Sequence, residues 1–194
     1  MNRPSLVFAA LSVCALAAAQ NAPPTPPPAP PARPSVVNAS GLPRAPAFAL
    51  EGTSGATRRL RDYLGRVVII VYEDRDSNQQ NNSLKQELAE RARRENLARD
   101  VSLVAVANLS AYDFWPARGY ARDAVIDIAR QQSTEIMIDW SGQMAADYHF
   151  RAGTSYVMVV SRDGRVLFRY GGAMTPRFRE QFFSVVAEAI QSPR

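Results

Sequence analysis

Cysteine is almost absent from this sequence. The single cysteine among 194 residues is Cys14, close to the amino terminus. A thiolate is the nucleophile of thiol–disulfide exchange and of thiol peroxidases, so a chain that loses or modifies this residue cannot perform either reaction. The chain also has no pair of cysteines to form a disulfide, and the packing of its core must therefore hold the domain together.

A long membrane-spanning run is also missing. Arg3 is followed by an apolar stretch over residues 5–15, shorter than the roughly 20 residues that a spanning helix needs. Small residues at 17–19 fit a cleavage site, so we predict a signal peptide over residues 1–19, cleaved near Ala19. We expect a periplasmic or secreted protein without a transmembrane span in its mature chain. Lipidation at Cys14 is an alternative, because residues 11–14 resemble a lipobox.

Proline is concentrated in one segment, residues 21–34, which reads NAPPTPPPAPPARP. Proline at this density cannot form a helix or a sheet and favours the polyproline II conformation. We predict a Pro-rich, disordered linker over residues 20–40 and one folded domain over residues 41–194. The segment has the composition of a spacer, and its alternative role is that of a ligand for a proline-recognising groove.

Lysine is nearly absent, since Lys85 is the only one among 23 basic residues. The formal net charge is +5, but the arginines alternate with acidic residues, as in Glu87–Arg91 and Glu90–Arg94. These are helical i,i+4 pairs and indicate a mixed, solvated surface. We therefore predict no nucleic-acid partner.

The sequence contains a short apolar run, Val67–Tyr72, that is typical of a buried strand, and the other predicted elements are arranged around it. A polar loop over residues 73–82 and an amphipathic helix from near Ser83 follow it. The remaining pattern predicts the order β, α, β, α, β, α, β, β, α, with an edge strand over residues 46–50. This order favours an α/β fold, with a mixed central sheet of about five strands and helices on both faces.

Several spaced motifs resemble the redoxin branch of the thioredoxin-like fold. They are the segments FAL (48–50), LRDYLGRVV (60–68) and VMVVSRDG (157–164). The segment SYVMVVSRDGRVLFRYGGAMTP (155–176) resembles the YtfJ-like family of small exported bacterial proteins. The resemblance covers about residues 43–191 and implies a fold and an exported location rather than a defined activity.

Active redoxins carry Cys-x-x-Cys in the loop after the central strand and a cis-proline facing it. The resemblance puts Ser77 at the first cysteine position and Gln80 at the second, with Ser155 at the proline position after Thr154. Both thiols and the proline are missing. We therefore predict no thiol redox activity, no catalytic residue, no cofactor and no metal.

An enzyme remains the alternative. Ser77 would act as a nucleophile with His149, the only histidine, as its base, and Asp139 or Asp147 would orient that base. No G-x-S-x-G motif supports this triad. A metal-assisted loop would use the acids at 73, 74 and 76, whose spacing is not that of an EF-hand.

Binding is the favoured hypothesis. A redoxin groove without thiols would be lined by five residues, Tyr72, Ser77, Gln80, Thr154 and Ser155. An aromatic contact loop would add Tyr112, Phe114, Trp115 and Trp140, which are residue types enriched in protein interfaces. We expect the partner to be a protein or peptide of the cell envelope.

Overall fold

The structure is a computed structural model that describes residues 42–192. The predicted signal peptide and Pro-rich linker lie outside the described residues. Within these residues, seven strands and four α-helices follow one another. They are β1 (Ala49–Gly52), β2 (Thr57–Arg59), β3 (Val67–Glu73), α1 (Asn82–Arg94), β4 (Val101–Asn108), α2 (Ala117–Gln131), β5 (Ile136–Asp139), α3 (Gln143–Asp147), β6 (Tyr156–Val160), β7 (Val166–Gly171) and α4 (Pro176–Gln191).

The strands form one mixed sheet in the order β2-β1-β5-β4-β3-β6-β7. Strands β3, β4 and β5 are parallel, whereas β6 is antiparallel to β3 and β7 is antiparallel to β6. The Asp163-Gly164 hairpin joins β6 to β7, and Gly164 has a φ of +91°, which a side chain would disfavour. The loops after β3, β4 and β5 therefore leave the sheet at the same end, where α/β proteins usually carry their sites.

The expected number of about five strands is wrong, because the sheet has seven. Strand β2 escapes sequence reasoning since its three residues are all exposed and lack an alternating apolar pattern. The predicted edge strand over residues 46–50 begins later, at Ala49, and pairs on both sides. Strand β2 is the edge strand in its place.

Strand β3 divides the apolar core between the two faces of the sheet. Its seven residues are all buried. Because successive side chains point to opposite faces, Val67, Ile69 and Val71 pack on one face, and Val68, Ile70 and Tyr72 on the other. Each fully buried aliphatic side chain contributes about 1.5–3 kcal/mol, so this strand anchors both halves of the core.

Helices cover the sheet unequally. Leu84 and Leu88 of α1 and Phe182 of α4 pack with the face that carries Ile69. Helix α2 packs through Val125 and Ala129 against strands β4 and β5. The opposite face is covered by the short α3 and by aromatic and aliphatic side chains that include Phe48, Tyr148 and Phe150.

Helical spacing in the sequence predicts that positions 120, 124, 125, 128 and 129 form the apolar face of α2. Val125 and Ala129 are buried as expected, but Tyr120 and Ala124 are exposed. Ala121, one turn before Val125, packs against the core instead. A step of five residues rotates a helix by about 140°, so Tyr120 points away from the face that Val125 buries. Within residues 42–192, no helix is long and apolar enough to cross a membrane.

Candidate functional site

The loop that follows β3 is folded around Asp74. Its Oδ1 accepts hydrogen bonds from the Ser77 hydroxyl at 2.7 Å, the Ser77 N–H at 2.9 Å and the Asp76 N–H at 3.1 Å. The Ser77 Oγ in turn accepts the Asp74 N–H at 2.9 Å. Aspartate often closes turns of this kind through its own side chain. Ser77, at the first cysteine position implied by the resemblance, is fully buried and serves to close the loop.

A buried ion pair lies beside this loop. Lys85 of α1 donates to the two carboxylate oxygens of Glu73 at 3.2 and 2.9 Å and to the Asn78 carbonyl at 2.6 Å. Only 5% of the lysine side chain and 10% of the glutamate side chain are exposed. Burial raises the pKa of the Glu73 carboxyl, and the opposing effects of Lys85 and Ser155 offset only part of that rise.

Ser155 completes the ion pair from the other side of the site. Its hydroxyl donates to Glu73 Oε1 at 2.9 Å, and its N–H donates to the Gln80 side-chain oxygen at 3.0 Å. The resemblance implies a proline here, and a proline has neither of these donors. Serine at this position therefore joins the loop before β6 to the loop after β3 through polar contacts.

Asn81 links the same site to the end of β7. Its amide donates to Ser155 Oγ at 2.8 Å and to the Gly172 carbonyl at 2.9 Å, and its oxygen accepts the Met174 N–H at 2.9 Å. All of its side-chain bonds run to residues more than 70 positions away in sequence. Asn81 thus ties α1 to two distant segments of chain.

The predicted groove residues lie together, but most of them face inward. Tyr72, Ser77 and Ser155 are buried, whereas Gln80 and Thr154 are half-buried. Gln80 donates to the Gly153 carbonyl at 2.8 Å, and Asp74 accepts the Gly153 N–H at 2.6 Å. The polar groups of Ser77, Gln80 and Ser155 are thus engaged in hydrogen bonds within the site.

Tyr72 is held by Asp139 at the ends of β3 and β5. The hydroxyl donates to Asp139 Oδ2 at 2.9 Å, and the ring lies 4.8 Å from that of Phe150 between centroids. Burial, together with the Asp139 carboxylate, raises the pKa of Tyr72 far above its ordinary value. Asp139 also accepts the Ala145 N–H at 3.3 Å in α3, so it orders the adjoining helix rather than the His149 imidazole.

The proposed serine–histidine pair occupies two different environments. Ser77 is buried and bonded to Asp74, whereas His149 is exposed at the end of α3 with a φ of +52°. The acids of the loop also have separate roles, since Glu73 pairs with Lys85 and Asp74 closes the turn. Among the residues that the structure describes, no cluster of three His, Cys, Asp or Glu side chains could hold a metal ion.

The aromatic contact loop divides into a packed part and an exposed part. Tyr112 and Trp140 are half-buried against the cluster under α2, and the Arg118 guanidinium lies 4.4 Å from the Trp140 ring centroid. Phe114 is 60% exposed and Trp115 is 91% exposed. Tyr120, which sequence reasoning assigned to the core, is 75% exposed and follows them on α2. We call Phe114, Trp115 and Tyr120 the aromatic surface.

Two contacts hold the segment that carries Phe114 and Trp115, and one of them reaches the loop after β3. Arg75 Nη1 lies 3.5 Å from the Tyr112 hydroxyl, which bridges the loops after β3 and β4. Arg118 forms an ion pair with Asp113 across the start of α2. The aromatic surface and the loop after β3, which contains Ser77, thus lie at the same end of the sheet.

Lys85 and Asn81 are the site residues that sequence reasoning missed. Both lie on the stripe of Asn81, Lys85, Leu88 and Ala92, which repeats at helical spacing and faces the core. A lone lysine on an apolar helical stripe, one loop after an acid that ends a buried strand, is the signal that could have indicated a buried ion pair.

Comparison with known proteins supports the fold and gives no family. No protein-family model matches the chain, and no curated protein matches it. Solved structures do match. A thiol:disulfide interchange protein, DsbE, from Chlorobium tepidum has a TM-score of 0.56 and 22% identity over 77% of this chain and 96% of its own.

Two other structures are similar. A secreted thiol-disulfide isomerase from Corynebacterium glutamicum has a TM-score of 0.61 and 13% identity over 82% of this chain and 92% of its own. An exposed lipoprotein thioredoxin from Streptococcus pneumoniae has a TM-score of 0.54 and 16% identity over 74% of this chain and 99% of its own. At such low sequence identity, a shared fold does not show that this protein has the activity of the similar structures. The protein has a thioredoxin-like fold, and residues 42–192 contain no cysteine.

Proposed function

We propose that this protein is an exported, non-catalytic thioredoxin-fold domain that binds a protein or peptide of the cell envelope through its aromatic surface. One observation carries the proposal. Phe114, Trp115 and Tyr120 make up three of the four large apolar side chains that are exposed in residues 42–192. Large exposed aromatics that are grouped in one short segment are candidates for an interaction site, and Trp and Tyr are enriched among the residues that dominate interface energetics.

The chemistry of the redoxin position supports binding over thiol catalysis. The mature chain expected from the signal sequence has no thiol, and the positions that correspond to the two cysteines hold Ser77 and Gln80. Both side chains make hydrogen bonds within the site. A serine hydroxyl is a poor nucleophile at neutral pH unless a base adjoins it, and Ser77 bonds to an aspartate that also binds backbone N–H groups.

The location in the proposal comes from the amino-terminal sequence. Residues 1–19 have the features of a secretory signal, and the YtfJ-like resemblance implies export. The similar protein from C. glutamicum is secreted and the one from S. pneumoniae is an exposed lipoprotein, which is consistent with export.

The test is capture of a partner from envelope extract by the immobilised protein and by matched variants. We expect a defined partner to be retained by the unaltered chain and lost by Trp115→Ala and by Phe114→Ala. An aromatic hot spot contributes about 2 kcal/mol or more, which corresponds to a loss of affinity of roughly thirty-fold.

Leu64→Ala is the matched control, since Leu64 is also an exposed apolar residue but lies beside Gly164 at the opposite end of the sheet. It should leave capture unchanged. Equal capture by the unaltered chain and both aromatic variants would exclude the aromatic surface. Loss on Thr154→Ala alone would move the binding site to the groove.

A further inference from the structure

The chain contains both an exposed aromatic surface and a proline-rich segment. Segments of that composition bind to exposed aromatic side chains. We propose that the aromatic surface binds the Pro-rich segment, residues 21–34, of the same chain. The inference rests on the proposed function because the same three side chains would do the binding. It adds a regulatory step, since an envelope partner would have to displace the segment.

The chemistry of the two surfaces matches. Residues 21–34 contain eight prolines and repeat the P-x-x-P spacing. Such segments are recognised by exposed aromatic side chains, which stack on proline rings, and they lose little conformational entropy on binding. Phe114 and Trp115 are adjacent in sequence and Tyr120 begins the exposed face of α2, so three aromatic side chains are available at one end of the sheet.

Charge is complementary as well. Arg33 is the only charged residue of the segment. Asp123 is exposed and lies three residues after Tyr120 on α2, so the two side chains are neighbours on the helix surface. The nearby cation Arg118 already forms an ion pair with Asp113. Arg33 thus has an anionic position beside the aromatic surface.

The described part of the chain begins in a suitable place and direction. Arg44 pairs antiparallel with Arg165, and the Pro43 carbonyl accepts the Val166 N–H at 3.0 Å. Because the pairing is antiparallel, the chain that precedes Arg44 is directed along β7 towards Gly171. That end of β7 lies beside Tyr156 and Tyr72, at the same end of the sheet as the aromatic surface.

The length of the intervening chain is sufficient. Strands β7 and β4 are three spacings apart, which amounts to about 14 Å. The residues between Pro31 and Leu42 would cover roughly 34 Å at the polyproline II rise, and the earlier prolines reach further. A tether of this kind gives an effective concentration in the millimolar range, so even weak affinity fills the surface.

The experiment measures how accessible Trp115 is to acrylamide in the whole chain recovered after export. A Trp140→Phe background makes Trp115 the only tryptophan. We compare the natural segment with a variant in which the prolines at 23–31 are replaced by serine. The expected result is a Trp115 quenching constant at least about twofold lower with the natural segment, since stacking on the ring excludes the quencher.

Two controls define the outcome. In a Trp115→Phe chain that keeps Trp140, the proline substitutions should leave the quenching constant unchanged. Equal Trp115 quenching with and without the prolines would overturn the proposal. Protection that disappears on dilution would also overturn it, because the occupant would then be the segment of a second copy.

The outcome is separable from that of the proposed function. Loss of partner capture on Trp115→Ala, together with equal quenching in the proline variant, would leave the proposed function standing and remove this inference. Protection of Trp115 by the prolines, without any partner whose capture depends on the aromatic surface, would support this inference and remove the proposed function. If both hold, the proline-to-serine variant should capture more partner than the natural chain.

Discussion

Lys85 is the only lysine of the chain, and its ammonium group is almost entirely removed from water. Its three donated bonds run to Glu73 and to the Asn78 carbonyl. A buried charge is tolerated only when it is paired and hydrogen-bonded, so the two residues depend on each other. They lie beside Ser77, the first cysteine position that the resemblance implies, and make the end of β3 a polar structural centre.

The first prediction concerns this ion pair. Lys85→Met and Glu73→Gln should each lower the free energy of unfolding by about 3–5 kcal/mol, because each leaves a buried group without its partner. The double variant should lose much less than the sum of the two. Urea denaturation of all four proteins measures the coupling. Additive losses would show that the two side chains do not depend on each other.

The second prediction concerns pH. Burial raises the pKa of Glu73 in the folded state above its unfolded value of about 4.3. Between these two values the folded protein keeps a proton that the unfolded chain has released, so the free energy of unfolding falls as pH rises through that interval. Urea midpoints across the interval should show this fall in the unaltered protein.

Glu73→Gln provides the comparison, since glutamine does not titrate. Its stability should lack the part of the pH dependence that Glu73 causes. The same pH profile in both proteins would mean that the carboxyl titrates with its ordinary pKa. A carbon-13 titration of the Glu73 carboxyl would report the direction of the shift independently.

Among the elements, α4 packs on the sheet through Phe182, Phe183, Val186 and Ala189. Phe182 is fully buried, and its ring lies 5.7 Å from that of Phe168 and 5.0 Å from that of Phe183 between centroids. The helix begins at Pro176, a position that proline favours, although Thr175 at the N-cap makes no side-chain capping bond. Packing rather than capping therefore holds this helix to the sheet.

The third prediction tests that packing. Phe182→Ala should lower the free energy of unfolding by about 3–5 kcal/mol, since it leaves a cavity between α4 and the sheet. Tyr120→Ala is the matched control, because an exposed aromatic on α2 should change stability by no more than about 0.5 kcal/mol. Thermal and urea unfolding of both variants provide the comparison, and a small loss at Phe182 would contradict the packing.

At the scale of the molecule, the sheet brings two kinds of surface to one end. The loops after β3 and β4 leave parallel strands there, and Arg75 bridges them through Tyr112. One side of this end carries the loop folded around Asp74 and the Glu73–Lys85 ion pair. The other side carries the exposed aromatic surface. The polar groups of the loop after β3 are thus bonded internally, while the aromatic surface at the same end of the sheet is exposed.

The fourth prediction follows for the whole chain. It should not accelerate the reduction of insulin by dithiothreitol, because thiol–disulfide exchange requires a thiolate and the expected mature chain has none. Turbidity of precipitated insulin chains measures the rate, with a cysteine-containing thioredoxin run in parallel. Acceleration that persists after Cys14→Ala would contradict the assignment.

The sequence by itself determined the order of the main elements, because that order depends on local pattern, and it determined that residues 15–194 contain no cysteine, because that is a matter of composition. Val67–Tyr72 is apolar throughout, which indicates a buried strand. The apolar residues of α4 repeat every three or four positions, which indicates an amphipathic helix. Strand β2 has no such pattern, since its exposed residues are held in place only by pairing with β1.

The tertiary structure alone decided which polar groups meet and which aromatics stay exposed. Glu73 and Ser155 are 82 positions apart, and only the pairing of β3 with β6 brings their side chains to 2.9 Å. Tyr120 is exposed because of the rotation of α2 against the sheet, which helical periodicity leaves open. Contacts between distant segments arise from packing of the whole chain, so the site could not be completed from local pattern.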